Sequence, residues 1–208
     1  ERALVEFARQ SLTRKARSQP GRVLQLLDRM RTEGIRSTLD AAFTSLGEPR
    51  PVGYCNVGTV IDLGAGVEGL RPGDRVVSNG PHAEVVCVPA NLCARIPAAV
   101  TDDEAVFTVL AAIALQGIRL IGPTLGETIF VMGLGVIGQL GVQILRAHGC
   151  RVIGADYHGE RLALARQFGC RTVDLGADDD PIEHARAATQ GRGSDAVLIT
   201  AATSSNEP

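Results

Sequence analysis

The stretch VMGLGVIGQLG, residues 131–141, constrains this 208-residue chain more than any other. Gly133, Gly135 and Gly138 stand in G-x-G-x-x-G spacing, after an apolar run and at the head of a helical pattern. In a strand–turn–helix the first glycine permits the tight turn and the second lets the backbone approach a pyrophosphate. The third lets helix and strand pack closely. The unpaired N–H groups of the helix start, where Val136 and Ile137 stand, favour a phosphate. The spacing alone is a weak signal; an acid at the end of the next strand strengthens it. Asp156 stands there, 18 residues after Gly138. A carboxylate in that place can accept hydrogen bonds from both adenosine ribose hydroxyls and repels a 2′-phosphate, so the expected cofactor is NAD. Arg161, five residues on, either flanks the adenine or is a surface helix charge. The competing reading is an ordinary glycine turn followed by a helix-capping Asp.

The turn lies in a regular alternation. TIFVMG (128–133), RVIGAD (151–156), RTVD (171–174) and DAVLIT (195–200) are short apolar runs, separated by the helical segments VIGQLGVQILRAHG, ERLALARQFG and PIEHARAATQG. Gly149 and Gly169 mark helix ends and Pro181 a helix start. Apolar strands joined by helices imply an α/β fold, with a parallel sheet covered on both faces. Thr200 and Ala201 close the fourth run, beside the crevice where a dinucleotide binds in this topology. A six-stranded sheet of this kind needs two more strands than the chain carries, so the domain is expected to be incomplete and the full-length protein to have further domains.

Ahead of this lie two other regions. Residues 1–50 carry ten Lys and Arg against six Asp and Glu and read as helices, in PGRVLQLLDRMRTEG and RSTLDAAFTSLG. Residues 51–122 read as a small β-rich unit, with strands expected in VGTVIDLG, in the run ending DRVV, and in AEVVCVP. Thr101 and Glu104 form a capping-box signature before TDDEAVFTVLAAIALQGIRLIG, a helix expected to be buried on most sides. Residues 123–208 are then the nucleotide-binding domain.

Composition narrows the class. A net charge of −2 argues against a general nucleic-acid binder. No apolar stretch is expected to approach the ~20 residues of a membrane span, and the N-terminus has no signal-peptide pattern. The five cysteines are odd in number and form no C-x-x-C pair, which fits reduced thiols and a cytoplasmic location. Cys87, Cys150 and Cys170 read as buried small hydrophobes, and His158 and His184 as solvated helix residues.

With these residues in hand, the chain resembles the medium-chain dehydrogenase/reductase superfamily. PVGYCNVGTVIDLGAGVEGLRPGDRVV is similar to that family's GroES-like half, and TVLAAIALQGI with GETIFVMGLGVIGQLGVQILRAHGCRVIGAD to its interdomain helix and Rossmann half. A narrower resemblance, carried by SLTRKARSQPGRVLQLLDRMRTEG, GYCNVG and SNGPHAEVVCVP, is to bi-domain oxidoreductases in which a zinc-less unit precedes a Gfo/Idh/MocA-type domain. The resemblance implies hydride transfer at an alcohol or carbonyl carbon, of a sugar or glycan precursor in the narrower case, by a homo-oligomer acting on a small-molecule substrate.

The departures bear on mechanism. Gly53-Tyr54-Cys55 stands where zinc-dependent members have Gly-His-Glu, and the third ligand position falls near the apolar Leu110. A catalytic zinc needs three protein ligands around an open position, so no metal is expected. Tyr54 and Cys55 then either face the nicotinamide, where Tyr54 could donate a proton, or are packed turn residues. His82, at a strand entry, is either an acid/base or a surface turn histidine. The expected function is a zinc-independent NAD(H)-linked oxidoreductase; the alternative is a non-catalytic dinucleotide-binding or scaffold module of a larger protein.

Overall fold

A computed structural model describes residues 53–202 of the chain. The two helices expected before residue 50 lie outside the described residues. The described residues fall into two compact units, one of residues 53–56 with 80–88, the other of residues 57–79 with 89–202.

The larger unit holds two sheets. Strands β1 (Asn56–Thr59), β2 (Arg75–Ser78) and β3 (Cys93–Arg95) lie in that order, β3 antiparallel to β2. Val77 packs with Ile96 and Ala105 beneath them. The third strand is therefore not AEVVCVP. That segment belongs to the other unit and forms no strand, and its Val85 is 71% exposed. Alternating apolar residues make a strand only where a ladder partner stands beside them, and β3 takes the place beside β2. Cys87, expected to be buried in that strand, is exposed.

The capping box is present: Thr101 Oγ1 accepts from the Glu104 amide (3.3 Å), and Glu104 Oε2 accepts from the Thr101 amide (2.9 Å). It opens a short helix, α1 (Asp102–Ala105), and α2 (Thr108–Ile121) follows, closed by Gly122 in the left-handed region. Only Ala114 and Ile118 of α2 are fully buried, while Leu120 is 79% exposed. The helix is thus covered on one side, not most. The span Asp102–Ile121 is 20 residues long and contains an 18-residue window of mean hydropathy 1.7, so by length and composition alone it could cross a membrane, contrary to expectation. Three acids stand in its first turn, and Ile118 packs into the core described next.

The second sheet is parallel, in the order β6 (Arg171–Asp174), β5 (Arg151–Asp156), β4 (Thr128–Met132), β7 (Ala196–Ile199). Helices α3 (Val136–Ala147), α4 (Gly159–Gln167) and α5 (Pro181–Ala188) connect them. Side chains alternate between the faces. Ile129 and Val131 join Val142, Leu145 and Leu162 of α3 and α4, while Phe130, Ile153 and Val173 join Ala185 of α5. Both faces of β4 and β5 are covered, which is why those strands are apolar, whereas Val197 and Ile199 on one face of β7 are exposed. The strand order reverses at β4, so a crevice opens between the carboxyl ends of β4 and β7.

Cys150 and Cys170 are buried, as expected. Burial, against a lowering by Arg146, pushes the Cys170 thiol up to about 12, leaving about one thiolate in 10⁴ at mild alkaline pH. Brief alkylation of the native protein is expected to label Cys87 and to spare Cys170 until denaturant is added. Site-resolved mass spectrometry checks this, and rapid native labelling of Cys170 contradicts it.

Candidate dinucleotide site

Gly133 follows β4 with φ +91°, a conformation that L side chains rarely adopt. Its amide bonds Ala155 O (2.9 Å), and a Cβ there would lie 2.8–2.9 Å from the backbone and Cβ of Ala201. A Cβ on Gly138 would run into the Gly133 carbonyl and lie 2.9 Å from Thr200 Oγ1. Thr200 itself donates its amide to Met132 O (2.9 Å) and its hydroxyl to Gly133 O (2.6 Å). Thr200 and Ala201 therefore shape the turn by closing over the first glycine from the end of β7.

Gly135 is different. It is the N-cap of α3, with φ −67°, and a Cβ there would meet nothing within 4 Å. The helical ladder starts with Gln139 N to Gly135 O (2.9 Å), so the amides of Val136, Ile137 and Gly138 precede it. The turn is tight where it packs and open where a phosphate would approach a helix N-terminus.

Asp156 ends β5 and is 5% exposed. Its Oδ2 accepts from the Leu134 amide (2.8 Å) and from Arg161 Nη1 (3.3 Å). Its Oδ1 accepts from the amide of His158 (2.9 Å) and stands 2.9 Å from that residue's Nδ1. Burial on its own would raise the carboxyl. The bonds from Leu134, from the backbone and ring of His158 and from Arg161 outweigh it and hold the group at about 2. Gln139, buried in α3, donates from Nε2 to Leu134 O (3.1 Å) and Arg161 O (2.8 Å), and so ties the turn to the start of α4.

The residues expected to bind a nucleotide, Gly133, Gly135, Val136, Ile137, Gly138, Asp156, Arg161, Thr200 and Ala201, thus lie together at and beyond the carboxyl ends of β4, β5 and β7. His158 is solvated, as expected, but it stands at the N-cap of α4 rather than within the helix, and its ring engages Asp156. The sequence signal was the pair itself, since an Asp side chain readily accepts from the amide two residues on. Gln139 had no such signal, because its role depends on α3 and α4 lying side by side.

Tyr54, Cys55 and His82 belong to the smaller unit. Tyr54 is 51% exposed, and Cys55 is half-buried. Gly53 has φ +76°, and a side chain there would run into the His82 imidazole. Asn56 Nδ2 donates to Pro81 O (2.9 Å), so the two segments of the unit are joined at both places. The structure brings His82 onto the Gly53-Tyr54-Cys55 turn. Among the described residues, no group of three or more His, Cys, Asp and Glu is placed to hold a metal ion.

Residues 136–206 match the model of a family described as zinc-binding dehydrogenase, a segment that omits Gly53-Tyr54-Cys55. A D-guloside 3-dehydrogenase of Escherichia coli K12 is 29% identical over 153 residues, covering 72% of this chain and 44% of the relative. A probable quinone oxidoreductase of Leishmania amazonensis is 32% identical over 144 residues, covering 67% and 42%. The chain belongs to the medium-chain dehydrogenase/reductase superfamily. This medium-chain chain spans less than half the length of those two relatives. Its fold agrees with solved members. A mycobacterial protein complexed with NADPH is 30% identical with a TM-score of 0.62, over 76% of this chain and 53% of that one. An E. coli CFT073 alcohol dehydrogenase complexed with NADH is 26% identical with a TM-score of 0.59, over 71% and 52%.

Proposed function

We propose that the protein is an NAD(H)-linked oxidoreductase that works without zinc on an alcohol or carbonyl carbon, of a sugar or glycan precursor. The observation that carries the cofactor reading is the turn at Gly133–Gly138, open at Gly135, with the Asp156 carboxylate bonded to the Leu134 amide of that turn. The cofactor, when bound, supplies or takes the hydride. The amides of Val136, Ile137 and Gly138 receive the pyrophosphate, and Asp156 receives the adenosine ribose. Asp156 is a carboxylate throughout the neutral range, which disfavours a 2′-phosphate. Solved relatives carry NADPH in one case and NADH in another, so the preference rests on Asp156.

For proton transfer the candidates are the Tyr54 hydroxyl and the His82 imidazole, both exposed to solvent. The Gly53-Tyr54-Cys55 turn lacks the donor set of a zinc site, which supports a metal-free mechanism. The similarity to a D-guloside 3-dehydrogenase supports a sugar hydroxyl as the reacting group. A cytoplasmic homo-oligomer with further domains belongs to the same proposal.

Turnover of a panel of glycosides, sugar alcohols and nucleotide sugars by the full-length protein, followed at the nicotinamide absorbance, tests the reading. The expected result is NAD(H)-dependent turnover that persists in protein purified with a chelator. Turnover that vanishes with the chelator and returns with zinc contradicts metal independence. Dinucleotide binding with no turnover by the full-length protein favours a scaffold role instead.

A further inference from the structure

The acceptor positions of Asp156 are filled by the chain itself. An ionised carboxylate offers about four lone-pair positions. Two are held by fixed backbone amides, those of Leu134 (2.8 Å) and His158 (2.9 Å). The other two are held by side chains that reach in from solvent, the His158 ring at Nδ1 (2.9 Å) and Arg161 at Nη1 (3.3 Å), their side chains 65% and 48% exposed. A ribose diol brings two donors and needs two acceptors. The Leu134 amide cannot leave without unmaking the β4–α3 glycine turn, nor the His158 amide without unmaking the β5–α4 turn, so the diol must take the places of the two side chains.

We propose that the His158 imidazole is an internal competitor for the adenosine ribose, holding the Asp156 oxygen that a ribose hydroxyl must take, so that its departure sets dinucleotide affinity. The proposal rests on the dinucleotide reading above and concerns a residue that reading does not use. Its consequence is a pH dependence with a definite sign. A protonated ring is a charged donor and holds the carboxylate more strongly than a neutral one. Acidification therefore weakens dinucleotide binding, and binding releases a proton. Asp156 stays ionised across this range, since its carboxyl is held at about 2. Charged or titratable residues near His158 in the chain are Tyr157, Glu160 and Arg161, and Asp174 of the neighbouring strand β6 pairs with Asp156. Asp174 Oδ1 already accepts from the Gly176 amide (2.9 Å).

Calorimetric titration of the full-length protein with NADH tests this at about pH 8 and about pH 5.5. His158→Ala is expected to bind NADH about threefold more tightly than wild type at the higher pH and about tenfold more tightly at the lower. His158→Gln, a neutral side chain of similar reach, is expected to flatten the pH dependence without loss of binding at the higher pH. Asp156→Asn serves as the reference and is expected to bind weakly at both. If Asp156→Asn is weakened while wild type and both His158 variants bind alike at both pH values, the competitor is excluded and the dinucleotide reading stands. If Asp156→Asn also binds like wild type, Asp156 does not hold the ribose and both ideas fail together.

Discussion

Gly138→Ala is expected to cost the domain about 3 kcal/mol or more and to abolish dinucleotide binding, whereas Gly135→Ala is expected to abolish binding while leaving the domain as stable as before. The two glycines lie three residues apart in one turn and differ in what surrounds them. At Gly138 the added methyl runs into the Gly133 carbonyl, which is backbone and fixed by the Thr200 hydroxyl, so α3 must move away from β4. Overpacking a tight contact costs typically 1–3 kcal/mol, and a clash with backbone lies at or above the top of that range. At Gly135 the methyl meets nothing within 4 Å, and φ is −67°, which alanine adopts without strain. Loss of backbone freedom in the unfolded chain could even add about 0.4–1 kcal/mol of stability. The methyl instead occupies the approach to the α3 amides. Thermal melts and NADH titrations of the two variants separate the effects. A Gly135→Ala protein that binds NADH like wild type places the pyrophosphate elsewhere.

The second large effect is cofactor choice. NADH is expected to bind at least ~10-fold more tightly than NADPH, because a 2′-phosphate forfeits a charge-assisted hydrogen bond worth about 1.5–3 kcal/mol and meets a carboxylate instead. Asp156→Ser should narrow that gap from both sides, weakening NADH and relieving NADPH, with Arg161 left free of its ion pair to meet a phosphate. The same substitution removes an acid-linked contribution to stability. The Asp156 carboxyl lies lower in the fold than in the unfolded chain, so its contribution is present above pH ~4 and is lost as the pH falls toward ~2. The variant should therefore lose less stability than wild type over that interval. Unchanged cofactor preference in the variant would show that Asp156 does not touch the ribose.

The parallel-sheet half was legible because its signals are local and its central strands β4 and β5 are buried on both faces. β5 and β6 match RVIGAD and RTVD residue for residue, and β4 and β7 lie inside their expected runs. The three glycines and Asp156 were readable for the same reason, since spacing along one strand–turn–helix fixes where each must go. AEVVCVP misled because alternation says nothing about whether a partner strand stands beside it. The α2 helix misled in a related way: its apolar composition is uniform, but a neighbour covers one side only. His158 and Gln139 were missed because their roles arise from contacts with Asp156, Leu134 and the start of α4. Tyr54 and Cys55 were found by what they replace in the family pattern, which marks a position without assigning it a chemical role.

The central claim is that one turn holds the pyrophosphate of a dinucleotide and one carboxylate its adenosine ribose. A crystal structure of the full-length protein with NADH tests it most directly. The account predicts the pyrophosphate over Gly135 against the amides of α3, and both adenosine ribose hydroxyls within about 3.2 Å of Asp156, with the His158 ring turned away. Density for the dinucleotide at another surface, or a ribose that leaves the His158–Asp156 contact intact, would contradict it.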